Sequence, residues 1–147
     1  MFPRDSSRRD QMDHVGGCQC GAVRYRVSGE PQHNALCHCK DCRKSSGAPM
    51  IGWAAFAEGD FAVTQGEVTT FNSSGASMRS FCPACGTGLF FRNAEMLPGI
   101  VDIQTATLDD PEALPPQAQI QVAERLDWMT TAHELPAFKR YPGMPED

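Results

Sequence analysis

The stretch GGCQCGAVRYRV (residues 16–27) sets two patterns side by side. Its second half, AVRYRV (22–27), alternates: Val23, Tyr25 and Val27 fall on one face and Arg24 and Arg26 on the other, which is the signature of a half-buried β-strand. Its first half places Cys18 and Cys20 one residue apart and follows them with Gly21. A glycine there can take positive φ, so the backbone can wrap a metal and turn its N–H groups toward the sulfurs. The pairing of a thiol knuckle with a strand start is the first indication of a metal-pinned β protein.

Working outward, the same short-strand texture recurs between Gly, Pro, Ser and Asn punctuation. Strands are expected at MIGWAAFA (50–57), FAVT (61–64), VTTF (68–71), SMRSF (77–81), GLFF (88–91), IVDIQTA (100–106) and IQVA (120–123). Their regular spacing predicts a mainly β fold. Helical signals are few. DDPEAL (109–114) offers an Asp N-cap, Pro111 in the first turn and acidic residues beside it, which together mark one short helix. A helical turn is also expected after Cys42, through Arg43, Lys44 and Ser45. Residues 1–13 read as a disordered charged leader, 14–138 as a single domain and 139–147 as a C-terminal tail. Leu135 and Phe138 are expected to anchor the end of the domain.

The chain has 147 residues and a net charge of −5, enough length for one sizeable core and the wrong balance for phosphate-backbone binding. No apolar run suits a signal peptide or a membrane span, so a cytoplasmic protein without nucleic-acid or membrane partners is expected. In a reducing compartment the odd count of seven cysteines points to metal rather than to a disulfide scaffold.

The seven fall into three groups: Cys18 and Cys20; Cys37, Cys39 and Cys42 in CHCKDC; Cys82 and Cys85 in CPACG. The first and last groups each end in Gly, as paired zinc-ribbon knuckles do, and assign Cys18, Cys20, Cys82 and Cys85 to one closed structural zinc site. The competing reading is four buried thiols acting as small hydrophobes. The triplet is followed by Arg43 instead of Gly. Three thiolates can hold one zinc and leave a fourth position for water or substrate, which is the pattern of catalytic zinc. Two other readings stand beside it: a second structural zinc completed by His33, His14 or Asp41, and a metal-free redox thiol cluster. The expected cofactor is therefore zinc, two ions per chain, one structural and one labile.

With these motifs in hand, the chain resembles the glutathione-dependent formaldehyde-activating enzyme family, which also includes centromere protein V. The resemblance rests on GGCQCGAVRY, CHCKDCRKSSGAPM, RSFCPACGTGLFF and the C-terminal DDP and P…I…W…LPAF pattern, over residues 14 to 138. It implies a tent-like fold of packed antiparallel sheets pinned by zinc, with one or two short helices. It implies the same division of the thiols, the outer pairs structural and the middle triplet catalytic. The implied reaction adds glutathione to formaldehyde, giving S-hydroxymethylglutathione, and its reverse is a carbon–sulfur lyase reaction. One departure is that Gln119 stands where the family often has His.

Around the triplet, Arg43 and Lys44 are candidates to receive a substrate carboxylate, and Ser45, with Ser46, to donate hydrogen bonds at the mouth. His38 is a candidate general acid or base. For each of these a solvated or plain turn residue is the competing reading. Trp53 and Phe56 read first as core, and Arg79 is the weakest candidate. A small-molecule thiol with an aldehyde is the expected partner. A non-catalytic zinc-stabilised module that binds a protein is the alternative function.

Overall fold

The computed structural model describes residues 13–146. The expected leader lies outside them, apart from Asp13, whose carboxylate is 3.9 Å from Arg26. Ten strands and one α-helix run in chain order among the described residues. They are β1 (His14–Gly17), β2 (Arg24–Val27), β3 (His33–Cys37), α1 (Lys40–Ser46), β4 (Ile51–Ala57), β5 (Phe61–Gln65), β6 (Thr69–Ser74), β7 (Ser77–Phe81), β8 (Gly88–Asn93), β9 (Ile100–Gln104) and β10 (Ala118–Ile120).

The strands form two sheets. The smaller is antiparallel, in the order β1-β2-β5. The larger has seven strands, ordered β10-β3-β4-β9-β8-β7-β6, and is antiparallel except where β10 runs parallel to β3. The fold is thus mainly β, with the expected packed antiparallel sheets and one parallel edge pairing.

The core lies between the sheets. The alternation in AVRYRV is realised: Val23, Tyr25 and Val27 are buried and meet Ala54, Phe56, Phe90, Val101 and Ile103 of the larger sheet. The Phe90 ring meets Tyr25 edge-on at 5.1 Å and Phe61 at 4.8 Å. Each such pair adds about 0.5–1.5 kcal/mol beyond the area buried. β4 lacks alternation because both its faces are covered. Ala54 and Phe56 enter this core, whereas Ile51 and Trp53 pack on the opposite face against Cys37 and Cys42.

Several expectations need correction. DDPEAL forms only a 3-10 turn, Pro111–Ala113, and its N-cap Asp110 makes no capping hydrogen bond through its side chain. Asp109 is instead held by Arg24. The strand expected at 120–123 ends at Ile120, because Gln121 turns into the left-handed region at φ 57°. Leu135 and Phe138 are 64% and 63% exposed and do not anchor the C-terminal segment. Leu135 precedes a proline, which favours extended backbone, and it adopts ψ 147°. No helix among the described residues is long and apolar enough to cross a membrane.

Candidate metal centres

Two thiol clusters emerge, one beside each face of the larger sheet. The four sulfurs of Cys18, Cys20, Cys82 and Cys85 lie within 4.8 Å of one another. Cys18 and Cys20 sit in the turn between β1 and β2, and Cys82 and Cys85 in the turn between β7 and β8. Gly21 and Gly86 adopt φ of 82° and 81°, closing each turn. Their N–H groups bond back to the carbonyls of Cys18 and Cys82, and the Val23 N–H donates to the Cys18 sulfur at 3.2 Å. Thr87, which no sequence signal singled out, ties the knuckles together. Its Oγ1 accepts from the Gln19 N–H at 3.1 Å and lies 3.2 Å from the Cys85 sulfur. That hydroxyl is the first cause of a Cys85 thiol pulled down to about 5.

The sulfurs of Cys37, Cys39 and Cys42 form the second cluster, also within 4.8 Å. Here the turn is closed by α1 in place of a glycine. Cys39 is the N-cap residue, and its sulfur accepts from the Cys42 N–H at 3.2 Å. Cys37 and Cys42 are buried and Cys39 is half-exposed. The Cys42 thiol is pulled down to about 5, first by its hydrogen bond with Cys37, with help from Trp53 and Arg79. Cys37 is pushed up by that same hydrogen bond and by burial.

Both donor sets fit zinc. A tetrahedral ion with sulfur ligands at about 2.3 Å separates them by about 3.8 Å. The distances are 3.6 Å for Cys18–Cys20, 3.8 Å for Cys20–Cys82 and 3.6 Å for Cys37–Cys42. The quartet closes a four-ligand shell; the triplet leaves it one short. Among the described residues, no His, Asp or Glu joins the triplet. His33 lies 3.6 Å from Asp102, and Asp41 is held by Arg79.

A cleft of about 840 Å³ lies beside the triplet. Lys44, Ser45 and Ser46 from α1 line it with Trp53, Phe71, Arg79, Gln104 and the Gly86–Gly88 turn. The triplet sulfurs are not on its wall. Trp53 packs in one cluster with Cys37 and Cys42, Arg79 donates to Cys42 Sγ at 3.6 Å, and both side chains also line the cleft. Lys44 therefore reaches the cleft, whereas Arg43 turns away to the Glu124 carbonyl. Ser45 and Ser46 both donate to the Cys42 carbonyl, at 3.1 and 2.7 Å. His38, 1% exposed, does not line the cleft; its Nε2 lies 2.9 Å from Gln119 Oε1 on β10. Phe56 belongs to the core between the sheets.

A family model described as glutathione-dependent formaldehyde-activating enzyme matches residues 13–124. A Halomonas elongata protein provisionally given that name is 29% identical over 127 residues, covering 78% of each chain. A Schizosaccharomyces pombe protein named an uncharacterized lyase is 28% identical over 79 residues, or 54% of this chain and 57% of its own. The crystal structure of a Rhodobacter sphaeroides protein superposes with a TM-score of 0.56 at 25% identity, covering 71% of this chain and 98% of that one.

Proposed function

This chain belongs to the glutathione-dependent formaldehyde-activating enzyme family, and on that premise we propose that it is a zinc-dependent carbon–sulfur lyase. Its substrate is the adduct of glutathione, or a related thiol, with an aldehyde such as formaldehyde. The observation that supports this reading is a cluster of three sulfurs, with no fourth protein ligand among the described residues, beside an open cleft.

Cys37, Cys39 and Cys42 hold the zinc; Cys18, Cys20, Cys82 and Cys85 hold the structural one. When bound at the triplet, zinc supplies a position at which a thiol, ordinarily protonated near neutral pH, is kept as thiolate. The rest is the work of the chain. Lys44, on the cleft wall and without a hydrogen-bond or ion-pair partner among the described residues, receives a substrate carboxylate. Trp53 supplies an apolar stretch of the cleft wall next to the triplet. In the direction of synthesis a C–S bond forms, the aldehyde's π bond opens, and the thiol proton ends on the new hydroxyl oxygen. Cleavage reverses each step. Holding thiol and carbonyl side by side supplies the proximity on which the reaction depends.

Cobalt placed at the triplet makes its coordination visible. Glutathione is expected to strengthen the sulfur-to-metal charge-transfer band, and the analogue with serine in place of cysteine to leave it unchanged. An unaltered spectrum at saturating glutathione would mean that a protein group or water holds the fourth position, and the lyase reading would fall.

A further inference from the structure

We infer that Arg79 is a positioning residue for the triplet: its hydrogen bond to the Cys42 sulfur draws charge from that ligand, so that the site admits an anionic fourth ligand. The inference rests on the lyase reading above and gives one side chain a task within it. Three thiolates and a divalent ion sum to −1, and a substrate thiolate makes the sum −2. In a partly buried site that second negative charge is costly unless a donor offsets it.

Arg79 is built for that task. It projects from β7 onto the triplet's face of the sheet, 9% exposed, with its guanidinium 4.9 Å from the centre of the Phe91 ring. Its Nε donates to Ser73 Oγ at 2.9 Å. Its Nη2 donates to Asp41 Oδ2 at 2.7 Å and toward Cys42 Sγ at 3.6 Å. Ser73 in turn donates to the same Asp41 oxygen at 2.8 Å. Ser73 on β6, Asp41 on α1 and the Phe91 ring on β8 thus fix one planar cation in a single orientation. Asp41 cancels much of the guanidinium's charge at a distance, so what reaches Cys42 is a directed N–H donor more than a free positive charge. Hydrogen bonds to ionised groups are the strong ones, and their direction is what the Arg fork provides.

The test compares anionic with neutral ligands on cobalt-loaded protein. Glutathione and imidazole are titrated into wild type, Arg79→Gln, Arg79→Lys and Asp41→Asn near pH 8. In Arg79→Gln, thiolate affinity is expected to fall by about tenfold or more, the scale of one charge-assisted hydrogen bond. Imidazole affinity is expected to stay within about twofold, and the charge-transfer band of the ligand-free site to shift because Cys42 is altered. Lysine at 79 restores only part of the thiolate preference, since it keeps the charge and loses the fork. Asp41→Asn separates direction from charge. A directed donor predicts weaker thiolate binding once the guanidinium is released, whereas simple charge compensation predicts stronger binding. Stronger binding in Asp41→Asn, or a parallel loss of both ligands in Arg79→Gln, overturns the inference. If either variant does not fold, Ser73→Ala, which removes the Nε partner without changing charge, carries the same expectation of selective thiolate loss. Wild type that adds no thiolate refutes the lyase reading itself; wild type that binds thiolate while every variant matches it refutes only the role of Arg79.

Discussion

At the scale of single residues, positions that look incidental in the sequence are constrained by close approach. Gly16 begins the GGCQCG stretch, and a Cβ built on it meets the Thr107 carbonyl oxygen and the Tyr25 hydroxyl at 2.6 Å each. Tyr25 cannot move aside, since it is wholly buried and its hydroxyl lies 2.7 Å from Thr107 Oγ1. Gly16→Ala is therefore expected to cost about 1–3 kcal/mol, as overpacking of a filled core does. A denaturant melt in the presence of zinc checks it, and an unchanged midpoint would show that the β1–β2 ribbon can shift. Gln119 is a similar case. The structure gives it the buried His38 ring as its partner. That pair fastens the parallel edge strand beside the triplet, while neither side chain lines the cleft.

At the scale of elements, β9 carries one polar side chain into a dry place. Asp102 is pushed up to about 6 by burial, against the pull of His33. The folded carboxyl thus keeps its proton to higher pH than the unfolded chain does, where carboxylates titrate near about 4. Between those values the unfolded state releases its proton first, so the side chain destabilises the fold increasingly from about pH 4 to pH 6 and by a constant amount above. Asp102→Asn should gain little near pH 4 and on the order of 2 kcal/mol near pH 7.5. Melts of both proteins across that range test it, and a gain independent of pH would assign the effect to packing instead. Elements also differ in how openly the sequence announces them. β2 was legible because one face is buried and one solvated, which makes Tyr25 alternate with Arg24 and Arg26. β1, HVGG, was not, since two glycines carry no alternation and its place is set by pairing with β2. β3 was hidden because HNALC runs into the thiol motif. The grouping of the seven sulfurs could be read from spacing, as knuckles are local. Arg79 could not be, because its partner Asp41 lies 38 residues away on another element.

At the scale of the whole molecule, the two thiol clusters occupy unlike places, and this predicts unlike responses to loss of metal. The quartet joins the turn that opens the smaller sheet to a turn of the larger one, and Cys18 and Cys82 are themselves part of the core between the sheets. An ion there would close a loop of some sixty residues, restricting the unfolded chain as a long-range cross-link does. Structural zinc sites of this kind supply on the order of 10 kcal/mol of apparent binding energy, which becomes folding energy. The triplet instead spans Cys37 to Cys42, a local turn already capped by α1, and closes no long loop. Cys82→Ser is therefore expected to abolish soluble protein or lower the melting temperature severely. Cys39→Ser, at the half-buried member of the triplet, is expected to leave a folded chain that has lost the proposed lyase activity. Mild chelation of the zinc-loaded protein should likewise remove one equivalent with the far-ultraviolet circular dichroism spectrum preserved, and the second only together with unfolding. Metal analysis alongside the melt decides the matter. Parallel loss of both ions, or a Cys39→Ser variant less stable than Cys82→Ser, would reverse the division of roles between the clusters.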